Sequence, residues 1–341
     1  MAVKRRIIGV DVGGTKVAAA VLLSSPEDAL ALRPPEVIAR RTAPTEVSSA
    51  AACLDGISAC IDRLVEAAGP IDGIGIGIAS LMDHEAGRAT HSVHLPLSDV
   101  PLKQLFEERH GVPVAVDNDA SVACLAEHAF GAGAGSRHMV MLTLGTGVGG
   151  GIICHGRLYR GAGGTAAELG HMVVNIDGPK CPGDCPNRGC LEAYVSGTAL
   201  TAAARRAAAR APLSGLGRAR AAGETVDSRL LVRLAEAGDR DAAGLLARRG
   251  QILGVGLASL VNIFSPEVIV VGGGVAEAGE LLLGPARLEM LARALPPARE
   301  RVEVLPALLG PAAGVYGAAA LVLLEMDGDG GAASEAPAGP S

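Results

Sequence analysis

Apolar residues in this chain fall into runs of strand length, and clusters of glycine separate them. Ile7–Val10 and Val17–Leu23 flank the turn Asp11-Val12-Gly13-Gly14-Thr15-Lys16. Val140–Leu144 and Ile152–Cys154 flank a second, Gly145-Thr146-Gly147-Val148-Gly149-Gly150-Gly151. Strand, glycine turn, strand predicts a hairpin whose tip exposes backbone N–H groups, with glycine supplying positive φ. Ile71–Ile78 alternates isoleucine with glycine, which predicts a buried strand closely approached by another backbone.

Longer periodic stretches predict helices. One runs from about Glu46 to Ala68, opened by Thr45 as N-cap and closed by Gly69-Pro70. Others cover Ala120–Phe130, most of 191–263 (with a loop inside the Ala/Arg segment 202–222), Ala276–Leu283 and about Ala312–Leu324. Further strands are predicted through about Thr42, at Val114-Ala115-Val116, and at Glu267–Val271 feeding Gly272-Gly273-Gly274. A polar loop carries Asp83, His84, His91 and His94. The tail Asp327–Ser341 is rich in Gly, Ala, Ser and Pro and is predicted to be disordered.

Alternating strands and helices behind a repeated hairpin opening predict an α/β protein of two related halves, with a ligand cleft between them. The 341-residue length suits two cores. With 49% hydrophobic and 19% charged residues, the chain is expected to be soluble and globular. A net charge of −6 and only 2% aromatic residues argue against nucleic acid as a partner. No apolar stretch is long enough to span a bilayer and the start lacks a signal-type core, so a cytoplasmic location is expected.

Three groups of residues carry candidate chemistry. Successive N–H groups at the two glycine tips form anion-binding nests, and two nests predict a phosphate chain gripped from two sides. Cys181, Cys185 and Cys190 crowd one turn-rich loop, with His171 just upstream as a fourth ligand. That pattern reads as a zinc site, with a disulfide or free thiols as the alternatives. Finally, Asp117-Asn118-Asp119 closes a predicted strand. Helix capping accounts for one such residue, and a carboxylate left over at a strand end is suited to act as a general base.

These motifs, taken in order, resemble those of the ROK family of sugar kinases and related repressors, and most closely its bacterial glucokinases. The resemblance rests on Asp11–Lys16, Asn118-Asp119-Ala120, Leu144–Gly150, Glu168-Leu169-Gly170-His171, Gly189-Cys190-Leu191-Glu192 and Gly272-Gly273-Gly274-Val275, and runs from Asp11 to about Leu324. It implies an actin-like sugar-kinase fold with the active site in the cleft between its two domains. The first would cover 1–117 and be joined by a C-terminal helix at about 306–326; the second would cover 118–305 and carry the zinc loop.

It also implies ATP and Mg2+ as cofactors and a structural Zn2+. ATP would lie against Asp11, Gly13, Gly14, Thr15 and Lys16, against Gly145, Thr146, Gly147, Gly149 and Gly150, and near Gly272, Gly273 and Gly274. Asp119 matches the catalytic base; Asn118, Asp119, Glu168, His171 and Glu192 match the sugar contacts; His171, Cys181, Cys185 and Cys190 match the metal ligands. From the residues alone, Glu168 also reads as a solvated loop charge and Glu192 as a first-turn helix charge.

The expected reaction is ATP-dependent phosphorylation of D-glucose on its 6-hydroxyl. The alternatives are N-acetylmannosamine or another hexose as acceptor, polyphosphate as donor, or a non-catalytic sugar sensor. With the first hairpin so near the start, no DNA-binding segment like that of the family's repressors is expected ahead of it. A homodimer or dimer of dimers is expected, aided by a mean hydropathy of +0.35. Three positions depart from the family pattern: the wider Cys181-x3-Cys185 spacing, Ala79-Ser80 where Pro-Gly is common, and His94 where Asn is usual.

Overall fold

The computed structural model describes residues 4–24 and 33–328. Most of the tail predicted to be disordered lies outside the described residues. The chain divides into two compact units, Met1–Ala126 with Ala312–Ser341, and Glu127–Pro311.

The first unit is built on a five-stranded sheet of order β3-β2-β1-β4-β8, from β1 (Arg5–Val12), β2 (Lys16–Ser24), β3 (Glu36–Pro44), β4 (Gly73–Ile78) and β8 (Val114–Asn118). β1 and β2 form the predicted antiparallel hairpin, and β4 and β8 continue the sheet in parallel from β1. The last helix, Ala313–Met326, lies against β1 and β4. Its backbone comes so close that a side chain at Gly75 would strike the Ala318 carbonyl, which explains the Ile/Gly alternation of β4. The helix Ala50–Ala68 covers the sheet with Ile57, Ile61 and Leu64 buried.

Two sequence expectations are corrected here. The N-cap of the first helix is Ser49, whose hydroxyl accepts from Ala52 N–H at 3.1 Å. Thr45 instead donates to the Gly13 carbonyl (2.7 Å) through Oγ1 and to the Thr15 carbonyl (3.1 Å) through its N–H, and so belongs to the first glycine tip. The polar stretch around His84 and His91 is a small sheet, β5 (Leu81–Asp83), β6 (Arg88–His91) and β7 (Ser98–Val100).

The division into units falls inside the helix Asp119–Phe130 rather than at residue 117. Asn118 still pairs with Ile78 of β4, and Val122 fills the space left by Gly77, so residues 118–126 belong with the first sheet.

The second unit repeats the plan. Its sheet order is β11-β10-β9-β12-β13, from β9 (Met139–Leu144), β10 (Val148–Cys154), β11 (Arg157–Leu158), β12 (Val268–Gly272) and β13 (Glu303–Pro306). β9 and β10 form the second antiparallel hairpin, with β12 and β13 in parallel, as β4 and β8 are to β1. Helices Gly197–Arg210, Gly215–Ala221, Ser228–Glu236 and Arg240–Phe264 fill 197–264, so the 202–222 segment is two helices joined by a short turn. The Gly272–Gly274 run leads through the turn Ala276–Ala278 into a helix at Glu280–Arg293, later than the sequence predicts. The carboxylate of Glu127, fully buried, accepts from Ala132, Leu308 and Leu309 N–H. Among the described residues no helix is long and apolar enough to cross a membrane.

Candidate active site and metal centre

The candidate residues form two sets, one in each unit. In the first unit, the tip between β1 and β2 closes with Gly13 N–H donating to the Lys16 carbonyl at 3.0 Å. The N–H groups of Gly14 and Thr15 make no hydrogen bond among the described residues, which leaves two adjacent donors at the tip. Neither Gly13 nor Gly14 adopts positive φ. Gly14 is required instead because a Cβ there would lie 2.9 Å from His94 Cβ. Thr15 and Lys16 are exposed.

Asp11, next to last in β1, is half-buried. Burial, then the neighbouring Asp119 charge, push its pKa up to about 6, and Lys16 pulls against them. The fold therefore favours protonated Asp11. Stability contributed by that proton is complete below the ordinary value near 4 and lost as pH rises through about 6. Asp11→Asn should thus be more stable than the parent at pH 7.5, by about 3 kcal/mol, with the gap closing toward pH 4. Thermal denaturation at the two pH values checks it; an equal gap at both would contradict the assigned cause.

The three polar residues ending β8 divide their tasks. Asp117 is buried; its Oδ1 accepts from Asn118 N–H (2.8 Å) and its Oδ2 lies 3.7 Å from His84 Nδ1. Asn118 is the helix cap: its Oδ1 accepts from Ala120 (2.9 Å) and Ser121 (3.2 Å) N–H, and its Nδ2 donates to the Ser80 carbonyl at 3.2 Å. Asp119 opens the helix and accepts from Ala120 N–H at 2.8 Å. Burial raises its pKa, while backbone N–H groups, His94 and Asn118 pull it partway back. A desolvated carboxylate of raised proton affinity is suited to take a proton.

In the second unit, the tip between β9 and β10 closes with Gly145 N–H donating to the Gly147 carbonyl at 3.0 Å. The N–H groups of Thr146 and Gly147 make no hydrogen bond among the described residues. Gly145, Gly147, Gly149 and Gly150 again avoid positive φ, so the conformational reason expected from sequence does not apply at either tip. Close approach does: a Cβ on Gly147 would lie 2.5 Å from Glu192 Oε2. Gly273, with φ +86, is the one residue of the third glycine run in the left-handed region, and Val275 N–H donates to the Leu144 carbonyl at 2.9 Å.

His171, Cys181, Cys185 and Cys190 come together, with their ligand atoms all within 4.8 Å of one another. Cys181 Sγ lies 3.5 Å from His171 Nδ1, and Cys185 Sγ lies 3.9 Å from Cys190 Sγ. A tetrahedral zinc with bonds of about 2.3 Å to sulfur and about 2.05 Å to nitrogen places S···N about 3.5 Å and S···S about 3.8 Å apart. The donor set and its spacing therefore fit zinc, and the wider Cys181-x3-Cys185 loop still brings both sulfurs in. Burial and the neighbouring cysteines push the Cys181 thiol well up, a cost that a bound cation removes by taking the thiolate.

With Nδ1 turned to the cysteines, His171 Nε2 faces Glu168 Oε2 at 3.8 Å. Glu192 touches both features of this unit. Its Oε2 accepts from Val148 N–H (2.8 Å), and its Oε1 lies 3.9 Å from Cys181 Sγ. Sequence reasoning missed the partners that hold the second tip, Gly197 and Thr198. The signal available was Ser196, an N-cap residue ahead of an alanine-rich helix, whose Oγ accepts from Ala199 N–H at 3.1 Å.

Residues 7–325 match the ROK family, and the chain belongs to it. A glucokinase from Thermotoga maritima is 36% identical over 335 residues, covering 95% of this chain and 99% of that protein. The crystal structure of a ROK family glucokinase from Streptomyces griseus in complex with glucose and AMPPNP is 34% identical with a TM-score of 0.77, covering 93% of this chain and 98% of that one. The ROK hexokinase from Thermus thermophilus is similar at 34% identity and a TM-score of 0.75, with 95% and 99% covered.

Proposed function

We propose that this chain is an ATP-dependent glucokinase that transfers the γ-phosphoryl group to the 6-hydroxyl of D-glucose, giving glucose 6-phosphate and ADP. The observation that carries the reading is Asp119, a desolvated carboxylate of raised proton affinity in the same unit as the first glycine tip and close enough for its charge to act on Asp11. Full-length similarity to glucokinases supplies the sugar. Phosphoryl transfer has a loose transition state, so the protein mainly aligns groups and offsets charge.

Asp119 accepts the hydroxyl proton as the new O–P bond forms and the bond to the ADP oxygen breaks. The paired N–H groups at Gly14-Thr15 and Thr146-Gly147 hold phosphate oxygens. Magnesium, bound with the nucleotide beside Asp11, would offset phosphate charge. Glu168, His171 through Nε2, Glu192 and the second N–H of Asn118 hold sugar hydroxyls. Zinc on His171 and the three cysteines is structural, because four protein ligands leave no position open for water. The protein works as a homodimer or dimer of dimers in this reading, supported by exposed apolar side chains such as Ile263, Leu288, Leu291 and Leu295.

The test is a kcat/KM panel over glucose, mannose, fructose, N-acetylmannosamine and N-acetylglucosamine, with ATP and polyphosphate as donors. Glucose with ATP should lead by about tenfold or more, since a site built for particular hydroxyls leaves its own groups unpaired with the wrong sugar. Preference for an N-acetylated sugar would overturn the glucose assignment and leave the kinase assignment standing.

A further inference from the structure

We infer that the metal centre sets the shape of the second glycine tip through Glu192, so that nucleotide affinity in this protein depends on the bound metal. The inference rests on the kinase reading only for the identity of the ligand.

The tip from Gly145 to Val148 has three outside anchors. The Gly145 carbonyl accepts from Gly197 N–H at 2.7 Å. The Thr146 carbonyl accepts from Thr198 through its N–H (3.4 Å) and its Oγ1 (2.9 Å). Val148 N–H donates to Glu192 Oε2 at 2.8 Å. All three partners lie on the segment 192–198, which begins immediately beyond Cys190-Leu191. Cys190 is a buried member of the metal cluster, so a metal bound there fixes the start of the segment that cradles the tip. A second member, Cys181, packs beside the same carboxylate, with Sγ 3.9 Å from Glu192 Oε1.

Glu192 thus links the two features: one carboxylate oxygen is bonded to the hairpin, and its backbone follows Cys190 of the cluster by two residues. Gly147 shows how little slack this leaves: a Cβ there would come within 2.5 Å of Oε2 and push the carboxylate off Val148 N–H. The Gly145 and Thr146 carbonyls are committed to the cradle, so the orientation of the tip's remaining N–H donors follows the segment 192–198. Glu192 is a positioning residue for the nucleotide as well as a partner for sugar hydroxyls. A carboxylate that served the sugar alone would leave nucleotide binding indifferent to the metal.

The experiment measures the Kd of AMPPNP by calorimetry, without sugar, for zinc-loaded and chelator-stripped protein. Stripping should weaken AMPPNP binding about tenfold in the parent and only about twofold in Glu192→Ala, where the side-chain link to the tip is absent. An unchanged Kd on stripping, or the same shift in both proteins, overturns the inference. A second cycle keeps the test valid should the stripped protein unfold. Gly147→Ala should retain its zinc and weaken AMPPNP about tenfold, but cost under about twofold in a Glu192→Ala background, where the new Cβ has room. Equal costs in both backgrounds also overturn it. Glucose turnover by the zinc-loaded parent, measured alongside, tests the kinase reading separately.

Discussion

Asp119→Asn should lower kcat by about two to four orders of magnitude, the usual contribution of a positioned general base. Glucose binding should change by no more than about threefold, because asparagine keeps the shape and loses only the ability to take the proton. The fold should survive, since the helix cap belongs to Asn118 and the buried carboxylate beneath it to Asp117. Burial holds the Asp119 carboxyl above the ordinary range. The rate of the parent should therefore fall as pH drops through that raised value, at a higher pH than an exposed aspartate would give. Steady-state kinetics, with calorimetry for glucose, decide it. A variant with near-parental kcat would remove Asp119 from the chemistry.

Loss of a metal ligand should be the next largest effect. Cys190→Ser replaces a buried sulfur in a set of four, and binding of structural zinc is worth on the order of 10 kcal/mol in small zinc-dependent folds. Zinc content should fall from one per chain to nearly none. The His171 ring and Glu192 should then lose their fixed orientation, lowering kcat/KM for glucose by about a hundredfold. Elemental analysis of protein purified without chelator, together with kinetics, checks both parts. Full zinc content in Cys190→Ser would exclude the four-residue site.

Much of this architecture could be read from the sequence, for physical reasons that differ by element. The hairpins were legible because apolar runs on both sides of Gly13-Gly14 and Gly145–Gly151 leave the chain little alternative. The Ile/Gly alternation of β4 announced a close backbone approach, and the Ala313–Met326 helix is what makes it. The Cys/His cluster was legible because chemistry-bearing residues crowd a short segment.

What stayed hidden depends on contacts distant in sequence. Local propensity cannot tell Thr45 from Ser49 as a cap; the difference is that Thr45 reaches the first glycine tip. The strands around His91 are too short to show a period. Glycine at the tips suggests a need for positive φ, whereas His94 and Glu192 crowd the places where side chains would stand at Gly14 and Gly147. The anchoring of Gly145 and Thr146 by Gly197 and Thr198 spans about fifty residues of chain, and no local pattern carries it.

The most direct test of the central claim follows glucose itself. Zinc-loaded protein incubated with uniformly 13C-labelled glucose, ATP and magnesium is monitored by 13C and 31P NMR. One phosphate ester should form, its phosphorus coupled to carbon 6, appearing in step with ADP. Phosphorylation at another carbon, or no ester formed while glucose binding is measurable in the same sample, would contradict that claim.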